Sequence, residues 1–249
     1  NPDYLPKSFR GLPTISIEPI RLLAHCFLYE LDQYLGDETK GNFVRWMDDI
    51  NFGVNSEQEA FSILGDANDL LKSRSLALNL QKTRLVKKDD LPSELFRDEH
   101  DWLDAIAPAI SLEQFEERDV FVARFKNHIE TNSNRRNNER VTKRYLYLAG
   151  KMGVADFVDM SVGLFRSNPG MRDAICNYLR ALPVNALLLS ALEDLILKTD
   201  VYDDISMFQL VRLCTDLNLD RSEPSVAFTT SVQTVLSKRK QPFDFYCYL

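Results

Sequence analysis

Phe43-Val44-Arg45-Trp46-Met47-Asp48-Asp49-Ile50-Asn51-Phe52-Gly53-Val54 is an apolar run with two adjacent aspartates at its centre. Val44, Trp46, Ile50, Phe52 and Val54 have the β-branched and aromatic character of strands, so the run predicts a hairpin with Asp48 and Asp49 at its tip. Acidic residues also favour turns for purely local reasons, so the flanks decide how the pair is read. Two carboxylates side by side on a tip are hard oxygen donors suited to a divalent cation.

Upstream, Arg10-Gly11-Leu12-Pro13 leads into a helical stretch, Ile20 to Leu35, with an apolar stripe of Leu22, Leu23, Cys26, Phe27, Leu31 and Leu35. Downstream, Ser56 followed by Glu59 is a capping box, and Ala60, Phe61, Leu64, Ala67, Leu70 and Leu71 supply the apolar face of a second helix. Leu76, Leu78 and Leu80 then alternate as a strand through Asn79-Leu80-Gln81-Lys82-Thr83.

This order resembles the second half of the palm domain of reverse transcriptases, over roughly residues 9 to 88. Gly11-Leu12-Pro13 looks like the family's nucleotide-side motif, although Thr14-Ile15 replace its usual Gln-Gly. Trp46-Met47-Asp48-Asp49 looks like its catalytic hairpin, with tryptophan in place of tyrosine, and Leu76 to Thr83 looks like the motif that follows. The resemblance implies nucleotidyl transfer from dNTPs with Mg²⁺ or Mn²⁺ held by Asp48 and Asp49. It places Lys82 near the triphosphate, and Arg10, Gly11, Leu12 and Pro13 on the nucleotide side. The family's two-metal site takes a further aspartate from a strand before the Gly-Leu-Pro motif. Only ten residues precede Gly11, so the chain reads as a C-terminal portion whose palm and fingers partner segment lies elsewhere.

Composition frames the remainder. The 249 residues carry a net charge of −7, and no apolar run approaches the length of a membrane span. Cys26, Cys176, Cys214 and Cys247 show no metal-ligand spacing, as expected of reduced thiols in a cytoplasmic protein. His25, His100 and His128 are equally scattered. The charge is uneven. Residues 99–120 set seven acidic side chains against one Arg, whereas residues 121–151 set Arg124, Lys126, Arg135, Arg136, Arg140, Lys143, Arg144 and Lys151 against Glu130 and Glu139. The basic block predicts phosphate contacts, with Arg135, Arg136, Arg140, Lys143 and Arg144 as nucleic-acid ligands.

Beyond residue 100 the periodicity is helical. Segments at Asp101–Ala107, Leu112–Ile129, Glu139–Lys151, Ala155–Arg166, Pro169–Ala181, Pro183–Lys198, Ser206–Asp216 and Pro224–Lys238 suggest paired helices repeating at roughly 30 to 40 residues, in the manner of HEAT-like arrays. The expected fold is α+β: a partial palm of helix, hairpin, helix and strand over residues 1–98, then an all-α region over 99–249. A palm joined to such a region is similar to the bacterial abortive-infection and phage-defence reverse transcriptases. That likeness implies RNA or DNA as partners, including a non-coding RNA, and assembly as a homo-oligomer or with a partner protein. Retron and group II intron enzymes are the neighbouring alternatives. A different class of reading keeps the palm as a relic and gives the function to the helices, as an RNA- or protein-binding scaffold.

Overall fold

A computed structural model describes residues 18–132, 135, 137–197, 204–219 and 222–238. The chain is α+β with a helical bulk, and it divides into two compact units, residues 1–88 and 89–249. The division therefore falls after Lys88 rather than after Asp98, because the short helix Leu91–Glu94 packs on the helix that begins at Arg97.

The first unit is built from α1 (Glu18–Phe27), α2 (Tyr29–Glu38), the hairpin β1 (Phe43–Trp46) and β2 (Asp49–Phe52), and α3 (Glu57–Ser73). Ser56 caps α3 as the sequence predicts: its hydroxyl accepts from the Glu59 amide at 3.2 Å, while the Glu59 carboxylate reaches back to the Asn55 amide at 2.9 Å. Leu31 and Leu35 of α2, Ile63, Ala67 and Leu71 of α3, and the inward hairpin residues Phe43, Ile50 and Phe52 form one small core. Tyr34 Oη donates to Asp66 Oδ2 at 3.1 Å, tying α2 to α3, and burial together with Asp66 pushes its phenol up to about 12. Arg74 and Glu30 form a second tie between these helices.

Two expectations change here. The helix expected over Ile20–Leu35 breaks at Leu28, so Leu31 and Leu35 enter the core while Leu22, Leu23 and Phe27 stay exposed. The strand expected over Leu76–Thr83 is not formed, since the described sheet has two strands only. Asn79 bonds locally instead. Its carbonyl accepts from the amides of Lys82 and Thr83 at 2.9 and 3.0 Å, and its side-chain oxygen lies 3.3 Å from the Lys82 amide. Such Asx bonding competes with extended pairing wherever no neighbouring strand is present. Leu78 alone of the three alternating leucines packs on the core.

The second unit holds α4 (Leu91–Glu94), α5 (Arg97–Ser111), α6 (Arg118–Asn132), α7 (Asn138–Lys151), α8 (Val158–Ser167), a 3₁₀ turn (Pro169–Met171), α9 (Arg172–Ala181), α10 (Ala186–Leu197), α11 (Asp204–Asp216) and α12 (Glu223–Lys238). Alternate helices stack: α5 on α7, α7 on α9 and α9 on α11, with α8 on α10 and α10 on α12. Gly150 lets α7 approach α9, because a Cβ there would sit 3.1 Å from the Ala181 methyl. Polar latches accompany the stacking. Arg166 Nη2 meets Asp194 Oδ2 at 2.6 Å between α8 and α10, Arg180 Nε meets Asp216 Oδ2 at 3.0 Å between α9 and α11, and Ser231 donates to Glu193 at 2.6 Å between α12 and α10.

An aromatic cluster fills the start of this unit. The Phe125 and Tyr145 rings lie parallel at 4.4 Å, with Phe121, Phe157 and Trp102 around them. Tyr145 Oη donates to Glu99 Oε2 at 2.5 Å, and Arg124 Nε donates to the same carboxylate from 3.1 Å while its guanidinium covers Trp102. Cys176 and Cys214 are buried, which pushes both thiols up to about 12 and makes them apolar packing rather than nucleophiles or metal ligands.

His128 is only 1% exposed, with Nε2 2.7 Å from Asn138 Oδ1 and its ring against Phe96 and Tyr145. Burial lowers its pKa below the ordinary value, against the opposing pull of Asn138 and Glu99. The unfolded chain therefore binds a proton on His128 more readily than the folded one. Stability is full above about pH 6.5 and falls as the pH drops through the folded value, with a slope of at most about 1.4 kcal/mol per pH unit. His100 is lowered by burial as well and adds in the same direction. Urea unfolding followed by Trp102 fluorescence in a Trp46→Phe background should lose stability between pH 6.5 and 5, and His128→Gln should flatten that loss. A pH-independent midpoint in the parent would contradict the assignment.

Candidate functional site

The hairpin register pairs Phe43 with Phe52, Val44 with Asn51, Arg45 with Ile50 and Trp46 with Asp49, leaving Met47 and Asp48 as a two-residue loop. Strand alternation sends Phe43, Arg45, Ile50 and Phe52 to the core side, and Val44, Trp46, Asp49 and Asn51 to the other. Asp48 and Asp49 are therefore brought together at an exposed tip. Met47 has φ = 57°, and positive φ at the first loop position is the geometry of a II′ turn, which normally takes glycine. A methionine held there carries strain of about 1 kcal/mol or more, and strain of this kind gathers at functional turns. Gly53 ends the hairpin where a Cβ would lie 2.3 Å from Asn42 Nδ2, so the close approach of its two legs depends on glycine.

What holds the strained loop is Arg45. Its guanidinium forks onto Asp32 of α2, with Nε–Oδ1 at 2.6 Å and Nη2–Oδ2 at 2.5 Å, and Nη1 donates to the Met47 carbonyl at 2.8 Å. The arginine side chain is 5% exposed. The hydrogen bond to Asp32 raises the Arg45 pKa against the opposing effect of burial, so the cation is permanent. One side chain thereby fixes the distance from α2 to the tip and the direction of the loop carbonyl. Neither Arg45 nor Asp32 stood out in the sequence as a functional residue. The available signal was a cation at an inward position of a strand, which has to find an acid.

Trp46 stands directly across from Asp49 with 79% of its surface exposed, and Val44 beside it is 67% exposed. The outward face is thus apolar next to the acidic tip. Both carboxylates are hard donors, and Mg²⁺ is commonly held by one or two protein carboxylates with the remaining positions taken by phosphates and water, so Asp48 and Asp49 fit a partial ligand set. Among the described residues no group of three or more His, Cys, Asp or Glu is placed to hold a metal.

The other expected site residues are distributed as follows. Lys82 is exposed in the Asn79 turn of the first unit. Arg10, Gly11, Leu12, Pro13 and Arg136 lie outside the described residues. In the basic block, Arg135 donates to the Ser93 carbonyl at 2.5 Å and covers the Phe96 ring at 4.3 Å, and Arg144 bonds to Asp104 and to His100 Nδ1. Arg144, like Arg124, serves the joints of α5 with its neighbours, and Arg135 ties the α6–α7 connection to α4. The acidic and basic blocks that look like separate surfaces in the sequence are partly ion-paired to each other. Arg140 and Lys143 remain at the surface of α7.

Compared with known proteins, the chain matches no family model, no curated protein and no solved structure.

Replacing Arg45 by methionine should cost about 3 kcal/mol, since it strands the Asp32 carboxylate and takes the donor from the Met47 carbonyl. Amide hydrogen exchange should show residues 43–52 opening first. Protection unchanged from the parent would remove Arg45 from the support of the tip.

Proposed function

We propose that residues 18–88 are part of a reverse-transcriptase-type palm, and that the chain belongs to a DNA polymerase of bacterial phage defence, RNA-directed or untemplated, acting in the cytoplasm. The observation that carries this reading is the tip itself: Asp48 in a two-residue loop and the adjacent Asp49 opening β2, with the loop strained at Met47 and clamped by Arg45. An ordinary acidic turn needs neither strain nor clamp. The stacked helices of the second unit support the comparison with defence enzymes whose palm is followed by a HEAT-like array.

In nucleotidyl transfer a hydroxyl oxygen bonds to the α-phosphorus of a dNTP while the bond to pyrophosphate breaks. Mg²⁺ or Mn²⁺ would supply charge neutralisation for the attacking and leaving oxygens. Asp48 and Asp49 present the carboxylates that hold such a cation, Arg45 keeps the loop from relaxing, and Trp46 and Val44 offer an apolar surface beside the carboxylates. Lys82 is retained as the candidate for the triphosphate, and residues 10–13 for the nucleotide.

The scaffold reading draws on a specific observation as well, the local Asn79 turn where the palm motif calls for a strand. A single experiment separates the two. Asp48→Asn with Asp49→Asn in the full gene product should reduce Mg²⁺-dependent dNTP incorporation at least ~1,000-fold, as expected when the metal-held charge balance is lost. The melting temperature should hold or rise slightly through relief of carboxylate repulsion. Incorporation at the parental rate would leave the helical scaffold as the function.

A further inference from the structure

On α7, Arg140, Lys143, Arg144, Tyr147 and Lys151 fall within about 100° of one another around the helix axis, and run about 16 Å along it. The opposite face, Val141, Tyr145, Leu146, Leu148 and Ala149, is buried. Tyr147 is the anomaly: an aromatic side chain 59% exposed in the middle of a row of cations, with Lys151 Nζ 4.9 Å from the ring centroid. Asp104 is taken by Arg144, Glu139 accepts from Asn168 Nδ2 at 2.8 Å and pairs loosely with Lys143 at 4.0 Å, and Lys151 Nζ donates to the neutral Ser111 Oγ at 3.2 Å.

Resting on the reading that this chain handles nucleic acid, we propose that this face of α7 is a binding site for single-stranded nucleic acid, with Tyr147 stacking on a base and Lys143 and Lys151 holding the flanking phosphates. A duplex keeps its bases stacked on one another, so an exposed ring adds nothing to its binding. An acidic peptide uses the cations and has no need of the ring. An unpaired strand uses both, through phosphate neutralisation and base–aromatic stacking. The site differs from the basic block as read in the sequence. Arg135 is spent on Ser93 and Phe96, Arg144 is a joint residue at the edge of the site, and Tyr147 and Lys151 enter.

The test is fluorescence anisotropy of the whole chain with labelled oligo-dT and oligo-U of about 12 nucleotides, an abasic strand of equal charge, and poly-glutamate as competitor. Tyr147→Ala should weaken binding to both base-bearing strands about tenfold and leave the abasic strand unchanged, whereas Tyr147→Phe should bind as the parent does. Lys143→Gln with Lys151→Gln should weaken every strand and reduce the log–log salt slope by about one to two. Each variant is checked for parental urea unfolding, which exposed positions should preserve. Tyr147→Ala binding oligo-dT like the parent would overturn the stacking site, and poly-glutamate competing as well as oligo-dT would overturn the choice of ligand. Asp48 and Asp49 take no part in this assay. A chain that binds strands but incorporates no dNTP keeps the α7 site and loses the polymerase reading.

Discussion

Arg45 is the constraint on which the first unit turns. A strand pair this short has little stability of its own, and its loop is held at Met47 in a conformation that methionine resists. The bidentate bond to Asp32 and the third bond to the Met47 carbonyl anchor the tip to α2 beside the small core of Leu31, Leu35 and Ile63. Removing the charge from either partner leaves the other desolvated, which is why a largely buried pair matters more as an obligate geometry than as a source of stability. The carboxylates that follow in the chain inherit their placement from it.

The second unit solves a different problem. Its charge is segregated along the sequence and recombined in space: Glu99 receives Arg124 and Tyr145, Asp104 receives Arg144, and the latches repeat between stacked helices farther along. In a stacked array each helix pair is held by its neighbours, and these polar joints fix which helices adjoin. They engage Arg124 and Arg144 across helix joints, whereas Arg140, Lys143 and Lys151 keep part of their surface open on the outer face of α7.

Much of this was legible in the sequence. The hairpin limits, the Ser56 cap and most of the helices from α7 onward follow from period, caps and proline placement, because those signals are local. The first misreadings are tertiary. Leu76, Leu78 and Leu80 alternate like a strand, but alternation describes a strand only if a partner is there to accept its hydrogen bonds, and here the amides of Lys82 and Thr83 turn back to the Asn79 carbonyl instead. The apolar spacing of α3 puts Phe61 on its core face, whereas Ile63 occupies that face and Phe61 is exposed, since a helical wheel does not say where the hairpin will press. At the site, the pair Asp48-Asp49 was visible at once. Arg45 and Asp32 were not, because thirteen residues separate an ion pair that only the folded hairpin brings together. The charge blocks misled for the same reason: sequence counts charge, and only packing tells which charges are already spent.

The central claim is that the clamped tip presents Asp48 and Asp49 as a divalent-cation site. Paramagnetic broadening by Mn²⁺ in ¹⁵N spectra of the chain tests it directly. The account predicts selective loss of the amide signals of residues 47–50 at low Mn²⁺, and loss of that selectivity in Arg45→Met. Broadening spread over the acidic surface of α5, around Asp98, Asp101 and Asp104, with the hairpin amides unaffected, would contradict it.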